Sequence, residues 1–454
     1  MPRRALSNIP FLPSLSFGLL LALLALLWFA GGASRADVIG QAVTRGGTWA
    51  ILIVFVLFAA RPRWQPVMPV ALFVLAAIAL AALQLIPLPP SVWTGLPGRE
   101  LLAQAAIVTG QEQPWRPLSI SPAATANALS SLVVPFATLL VLARLTQAEH
   151  RRIVPVLLGL VLASSMIGLL QFTGGHFDHP MINDIPGYVS ASFANRNHFA
   201  LFAAIGCQLA LVWGFQERQG ARWKGLLALA LLALFGLIIL ATGSRTGMVV
   251  GVLGIGTGLL IVRRRIMGEL RRLPRWGAIA LVAGTVALLL TAVALSVSLD
   301  RAVSLDRALS LEVGDDLRRQ ALPTVWAMTG AYFPAGAGLG TFDPAYRIAE
   351  PMGLLNLEYF NRAHNDLLEV VLDAGLPGLF LLAVAIGWWL WMSLRVWRAK
   401  DGSSGLLPRL GSAMLLLVII ASAVDYPART PMIMALVVIA AVWLSGRMPN
   451  NAPR

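Results

Sequence analysis

The stretch "RAHNDLLEVVLDAGLPGLF", from Arg362 to Phe380, gathers residue types that do chemistry. His364 is of the one type whose ordinary pKa, about 6.5, suits a general base at neutral pH. Asp366, Glu369 and Asp373 follow at i, i+3 and i+7, so a helix would put all three on one face. His364 just ahead of this acidic face makes the stretch the sharpest candidate for chemistry in the chain. Gly375, Pro377 and Gly378 then punctuate the start of a long apolar run. Plainer readings compete: a solvated helix face for the acids, and a structural hydrogen-bond donor for His364.

Arginine is the second signal. "ATGSRTGMVVG" puts Arg245 in a short turn between two apolar segments, and "SFANRNHFALF" puts Arg196 and His198 at the mouth of another. "DYPART" puts Asp425 and Arg429 in the turn between the last two. Arg318 and Arg319 open "RRQALPTVWAMTGAYFPAGAGLGTF", where a short helix with Trp326 leads to Gly336, Gly338 and Gly340. A guanidinium is always charged and offers five fixed donors, which suits phosphate. Arg318 and Arg245 are the leading candidates to bind an anionic substrate, followed by Arg196, Arg319 and Arg429. Each could instead snorkel to lipid head groups. The glycines would permit close backbone approach to a ligand or merely form an interhelical turn. No Gly-Lys-Ser/Thr follows them, so they are not a P-loop.

The elements that must position these residues are membrane helices. Apolar residues are 57% of the 454-residue chain and charged residues 12%, about half the usual share in soluble proteins. A span needs about 20 mostly apolar residues. Such runs occur near 12–31, 47–60, 67–86, 124–143, 153–172, 198–215, 224–242, 246–262, 277–298, 374–394, 406–424 and 430–445. The fold class expected is therefore an all-α integral membrane protein of about twelve spans. The first run is long for a signal-peptide core and is followed by many others, so it reads as a span. Cys207 is the only cysteine, which rules out an internal disulfide and a cysteine-rich metal site.

Charge orients the bundle. With the N-terminus in the cytoplasm, the inner segments hold 22 basic and 4 acidic residues and the outer ones 13 and 17. This is a positive-inside pattern, and it places both termini in the cytoplasm. It also accounts for the net charge of +14 by scattered loop anchors, which removes nucleic acid as a partner. Three outer segments are long, at about 87–123, 173–197 and 299–373, so the work of the protein is expected outside. Three regions follow: residues 1–298 with nine spans, a large periplasmic loop over 299–373 carrying the active site, and 374–454 with the last three spans and a cytoplasmic tail.

"HNDLLEVVLDAGLPG" resembles the signature of the O-antigen ligase/polymerase family. "SFANRNHFA", "GSRTG", "AGAGLGTF" and "DYPARTPM" resemble its segments in the family order, from about Ser190 to the C-terminus. His364 with Gly375, and Arg318 with Leu322, resemble two spacings of the family's ligases. The resemblance implies a GT-C-like, metal-independent glycosyltransferase of the bacterial inner membrane, without a cofactor. Its donor would be a glycan on undecaprenyl diphosphate and its acceptor a glycan or glycolipid, with membrane lipids around them. Under that resemblance His364 would be the general base or would position the acceptor hydroxyl, with Asp366 or Glu369 orienting it. A ligase is the reading carried forward. A repeat-unit polymerase of the same family is the alternative, and a polysaccharide transporter or a non-enzymatic scaffold are the rivals from other classes. A transporter usually has two related six-helix halves, whereas this chain is lopsided.

Overall fold

The computed structural model describes residues 13–174, 179–182, 187–216, 222–271, 276, 313–355, 360–399 and 405–446. The described chain is almost wholly helical. Among the described residues eight helical segments, the continuous stretch Pro122–Leu142 counted as one, are long and apolar enough to cross a membrane, and three shorter apolar ones, Leu15–Ala30, Leu406–Ser422 and Pro431–Ser445, accompany them. The chain is a multi-pass membrane protein. The run at 277–298 expected as a span lies outside the described residues.

The elements used below are α1 (Leu15–Ala30), α2 (Ile39–Phe58), α3 (Trp64–Leu83), α4 (Pro90–Trp93), α5 (Glu100–Val108), α6 (Pro122–Ser131) and α7 (Val133–Leu142). They continue with α8 (Gln147–Phe172), α9 (Arg196–Gly214), α10 (Arg222–Ala241), α11 (Arg245–Leu270), α12 (Val313–Tyr332) and α13 (Phe342–Ala349). The last three are α14 (Asp366–Arg398), α15 (Leu406–Ser422) and α16 (Pro431–Ser445). The only sheet among them is a two-residue hairpin, with Pro87 opposite Pro117 and Leu88 opposite Arg116.

Helix α9 is the axis of the bundle. Sixteen of its 19 residues are buried, so it is apolar on all sides, as a helix enclosed by others must be. α8, α10, α11 and α15 pack around it. Small residues let the backbones meet: a Cβ on Gly254 of α11 would sit 2.6 Å from the carbonyl oxygen of Ala204. The outward faces of α2 and α14 instead expose large apolar side chains such as Ile53, Val56 and Phe380, which suits hydrocarbon.

Helix α2 starts eight residues earlier than the apolar run at 47–60 suggests. Its polar first turns are helical because their side chains find partners. Gln41 Nε2 donates to the Ala33 carbonyl at 2.5 Å, and Arg45 reaches Asn127 Oδ1 at 2.7 Å.

Helix α14 changes direction at Gly375, with φ 56° and ψ −141°, which only glycine adopts readily. Leu376 N is drawn away to donate to the Pro334 carbonyl at 2.8 Å. The break separates Asp366–Ala374, which faces the site, from the apolar remainder, as the Gly-Leu-Pro-Gly punctuation suggested. The segment after α3 clamps this region. Gln84 Nε2 donates to Asp373 O at 3.0 Å, Gln84 Oε1 accepts from Leu339 N at 2.8 Å, and buried Arg99 donates to Gly336 O at 2.9 Å. A small second core of Val325, Met328, Tyr332, Phe342, Tyr346 and Leu372 lies beneath.

Candidate functional site

The three acids of α14 share one face, and their common partner is Arg429 in the turn before α16. Its Nε lies 3.1 Å from Asp366 Oδ1, Nη1 3.1 Å from Glu369 Oε1, and Nη2 3.5 Å from Asp373 Oδ2. Glu369 is also met by Arg362 Nη1 at 3.0 Å and by Ala363 N at 2.9 Å. Asp366 accepts from Ser422 Oγ at 3.0 Å and Ala428 N at 3.1 Å. The cluster is buried, so charge compensation inside it is obligatory. Two expectations change as a result. Asp366 and Glu369 hydrogen-bond Arg429 and Arg362, not His364. The Arg429 guanidinium is already engaged by three carboxylates, so it is not arranged as an open phosphate binder.

His364 has a different carboxylate. Its Nδ1 lies 3.2 Å from Asp425 Oδ1. Asp425 is 1% exposed and is itself fully engaged, accepting from Asn195 Nδ2 at 3.1 Å, Asn197 Nδ2 at 2.6 Å and Tyr426 N at 3.0 Å. A carboxylate can only accept, so Nδ1 carries the proton and Nε2 keeps its lone pair. The backbone of His364 sits at φ 49°. Positive φ is uncommon outside glycine, although histidine is among the residues that adopt it more readily, and such positions cluster at functional sites. Tyr426 presses edge-on against the ring at 4.9 Å, and Phe360 packs at 5.1 Å. Burial pushes the imidazole below its ordinary value, and the Asp425 bond only partly restores it. Burial would raise the Asp425 carboxyl, but the His364 bond and the charges of Arg318 and His198 more than reverse this and hold it well below the carboxylate range.

The arginines divide. The charge of Arg318, on α12, acts on Asp425, His364 and Tyr426. Arg319 beside it is exposed. Arg196 opens α9 with its guanidinium 4.5 Å from the Tyr188 ring centre. Arg245 opens α11 next to it, since a Cβ on Gly247 would fall 2.5 Å from that of Ala200. The starts of α9, α14 and α16 meet around Asp425: Asn195 caps the first, Asn365 caps the second, and Thr430, which precedes the third, bonds His198 Nδ1 at 3.0 Å. Helix starts bring partial positive charge, which favours anions there.

A cavity of about 970 Å³ adjoins this cluster. Its polar end includes Arg45, Asn127, Arg362, Asp366 and Arg429, and its wall descends along α3, α14, α15 and α16 as far as Trp388 and Trp389. The glycines Gly336 and Gly338 do not line it. The space a Cβ would need there is taken by Asp373 O at 2.7 Å and Ser119 Oγ at 2.3 Å, so their close approach is to protein, not ligand. Among the described residues no group of His, Cys, Asp and Glu is placed to hold a metal ion.

Residues 229–383 match the family model described as O-antigen ligase. About a third of the chain is thus similar to the O-antigen ligase family. No curated protein matches the chain.

The O-antigen ligase match contains Arg245, Arg318, Arg319, His364 and the three acids of α14, and ends before Asp425 and Arg429. Arg196 also lies outside it. Asp425 and His198 were visible in the sequence as polar residues at helix ends, but nothing local says that Asp425 reaches His364, 61 positions away. Arg45 gave less signal still, since it precedes the apolar run by which α2 is recognised.

Proposed function

We propose that the protein is a glycosyltransferase that moves a glycan from undecaprenyl diphosphate to an acceptor hydroxyl on the periplasmic face of the inner membrane, as a ligase. The observation that supports it most is the His364–Asp425 pair, which feels the charge of Arg318 and has three helix starts around it. In this reading both termini are cytoplasmic, and residues 299–373 form the periplasmic segment that carries Arg318 and His364.

The acceptor oxygen attacks the anomeric carbon as the bond from that carbon to the diphosphate oxygen breaks. Nε2 of His364 takes the hydroxyl proton, and Asp425 stabilises the imidazolium that results. The diphosphate leaves with its negative charge, held by Arg318 and Arg245 with Arg196 near them, in a setting the helix starts make positive. These are charge-stabilising roles that call for no metal or cofactor.

The test is a strain lacking the gene. The ligase reading expects long glycans to accumulate on their lipid carrier without reaching the acceptor. Accumulation of single repeat units would make the protein a polymerase. Undiminished transfer by His364→Ala in membranes would remove His364 from the reaction.

A further inference from the structure

Among the described residues, Arg45 is the one arginine of the cavity lining that has no carboxylate partner. The others are paired: Arg35 with Asp37, Arg362 with Glu369, and Arg429 with all three acids of α14. Arg45 meets only two neutral oxygens, Asn127 Oδ1 at 2.7 Å and Gln41 Oε1 at 3.1 Å. Its Nε is buried without an acceptor. It stands six residues into α2, about 9 Å along that helix, inside a candidate span. A cation in such a place is costly unless an anion meets it.

The shape beside it says what anion. Below Arg45 the cavity is walled by Val70, Phe73, Val74 and Ala77 of α3 and by Trp388 and Trp389 of α14. Between the break at Gly375 and Trp389 the α14 wall runs for about 21 Å of helix, well into the hydrocarbon thickness of about 30 Å. A cationic, amide-flanked end over a long apolar slot fits a lipid that bears a phosphate at its head.

We propose that this cavity seats a second membrane-anchored substrate, the acceptor, with its lipid phosphate received by Arg45 and Asn127. The assignment to the acceptor rests on the reading above, since Arg318, Arg245 and Arg196 do not line the cavity. The donor diphosphate and the acceptor phosphate then have separate arginines. Bidentate guanidinium–phosphate contact fixes the depth of the head, and the slot fixes the direction of the chain.

The full chain in detergent, titrated with polyprenyl monophosphate and read by native mass spectrometry, tests this. The wild type is expected to hold two lipids. Arg45→Gln should need at least about tenfold more lipid for the second, as loss of a charged hydrogen-bonding partner implies. Ala77→Trp should do the same by filling the slot while leaving every charge in place. Polyprenol, which lacks the phosphate, should not take the second position, and competition by phosphatidic acid would identify a diacyl anchor as the source of the phosphate. Only one lipid on the wild type, equal binding of polyprenol, or an undisturbed second lipid in both variants would overturn the proposal. If Arg318→Ala keeps both lipids while Arg45→Gln loses one, the donor assignment falls and the cavity seat stands.

Discussion

Asp425→Asn separates an oriented catalytic histidine from a merely buried one. The carboxylate accepts from Asn195, Asn197 and the Tyr426 amide while holding His364 Nδ1. An asparagine side chain has one acceptor oxygen and an NH2 that only donates. With its oxygen kept on the two asparagine amides, the NH2 meets His364 Nδ1. The imidazole must then accept there and carry its proton on Nε2, where no lone pair remains to take a proton from the acceptor hydroxyl. Wrong-tautomer substitutions of this kind cost about 10⁴-fold in the serine-protease triad, and loss of a general base costs about 10²–10⁴-fold. The assay is transfer by the purified protein from lipid-linked glycan, followed from pH 5 to 9. Transfer needs neutral His364, so the wild-type rate rises with pH through an acidic limb and is level above it. Burial places that limb below about 6.5, and Asp425 pulls it back upward. Removing the carboxylate leaves burial opposed only by the charge of Glu369, the smallest of these influences. The plateau should fall by at least about a hundredfold while the limb moves to lower pH. A plateau within a few-fold of wild type, or a limb that moves up, would refute the orientation argument, provided thermal unfolding shows the variant folded.

Arg318→Lys and Arg245→Ala should each lose most transfer with insertion intact, whereas exposed Arg319→Ala should keep it; near-normal rates in both of the first two would remove the diphosphate assignment. Arg429→Ala leaves three buried carboxylates without their cation, and breaking a buried pair costs about 3–5 kcal/mol, so thermal stability in detergent should drop sharply. Gly375→Ala places a Cβ 2.0 Å from Pro334 O at a φ of 56°, and a thermal transition unchanged from wild type would show the kink is not under this constraint. In a Cys207-free background, an impermeant maleimide on intact cells should label Thr109→Cys and spare Arg398→Cys; the reverse would invert the topology.

The sequence was most informative where a property is local. Hydropathy picked out most of the helices, because an apolar run of span length has few other fates. The spacing of Asp366, Glu369 and Asp373 placed them on one face, and the glycine and proline after Asp373 placed the break in α14. Periodicity does not say what faces that side. The partner arrived as Arg429, from a turn 56 to 63 positions on. His364 was recognised by type, and its carboxylate was assigned to its own helix, whereas Nδ1 lies 3.2 Å from Asp425 Oδ1. The same logic explains Arg45. A window of mean hydropathy drops the polar first turns of α2, yet those turns hold the cavity cation that lacks a counter-charge. Inside a membrane, paired charges such as Arg429 with its acids hold the fold together. An arginine that has only amides for company is the place to look for a charged substrate.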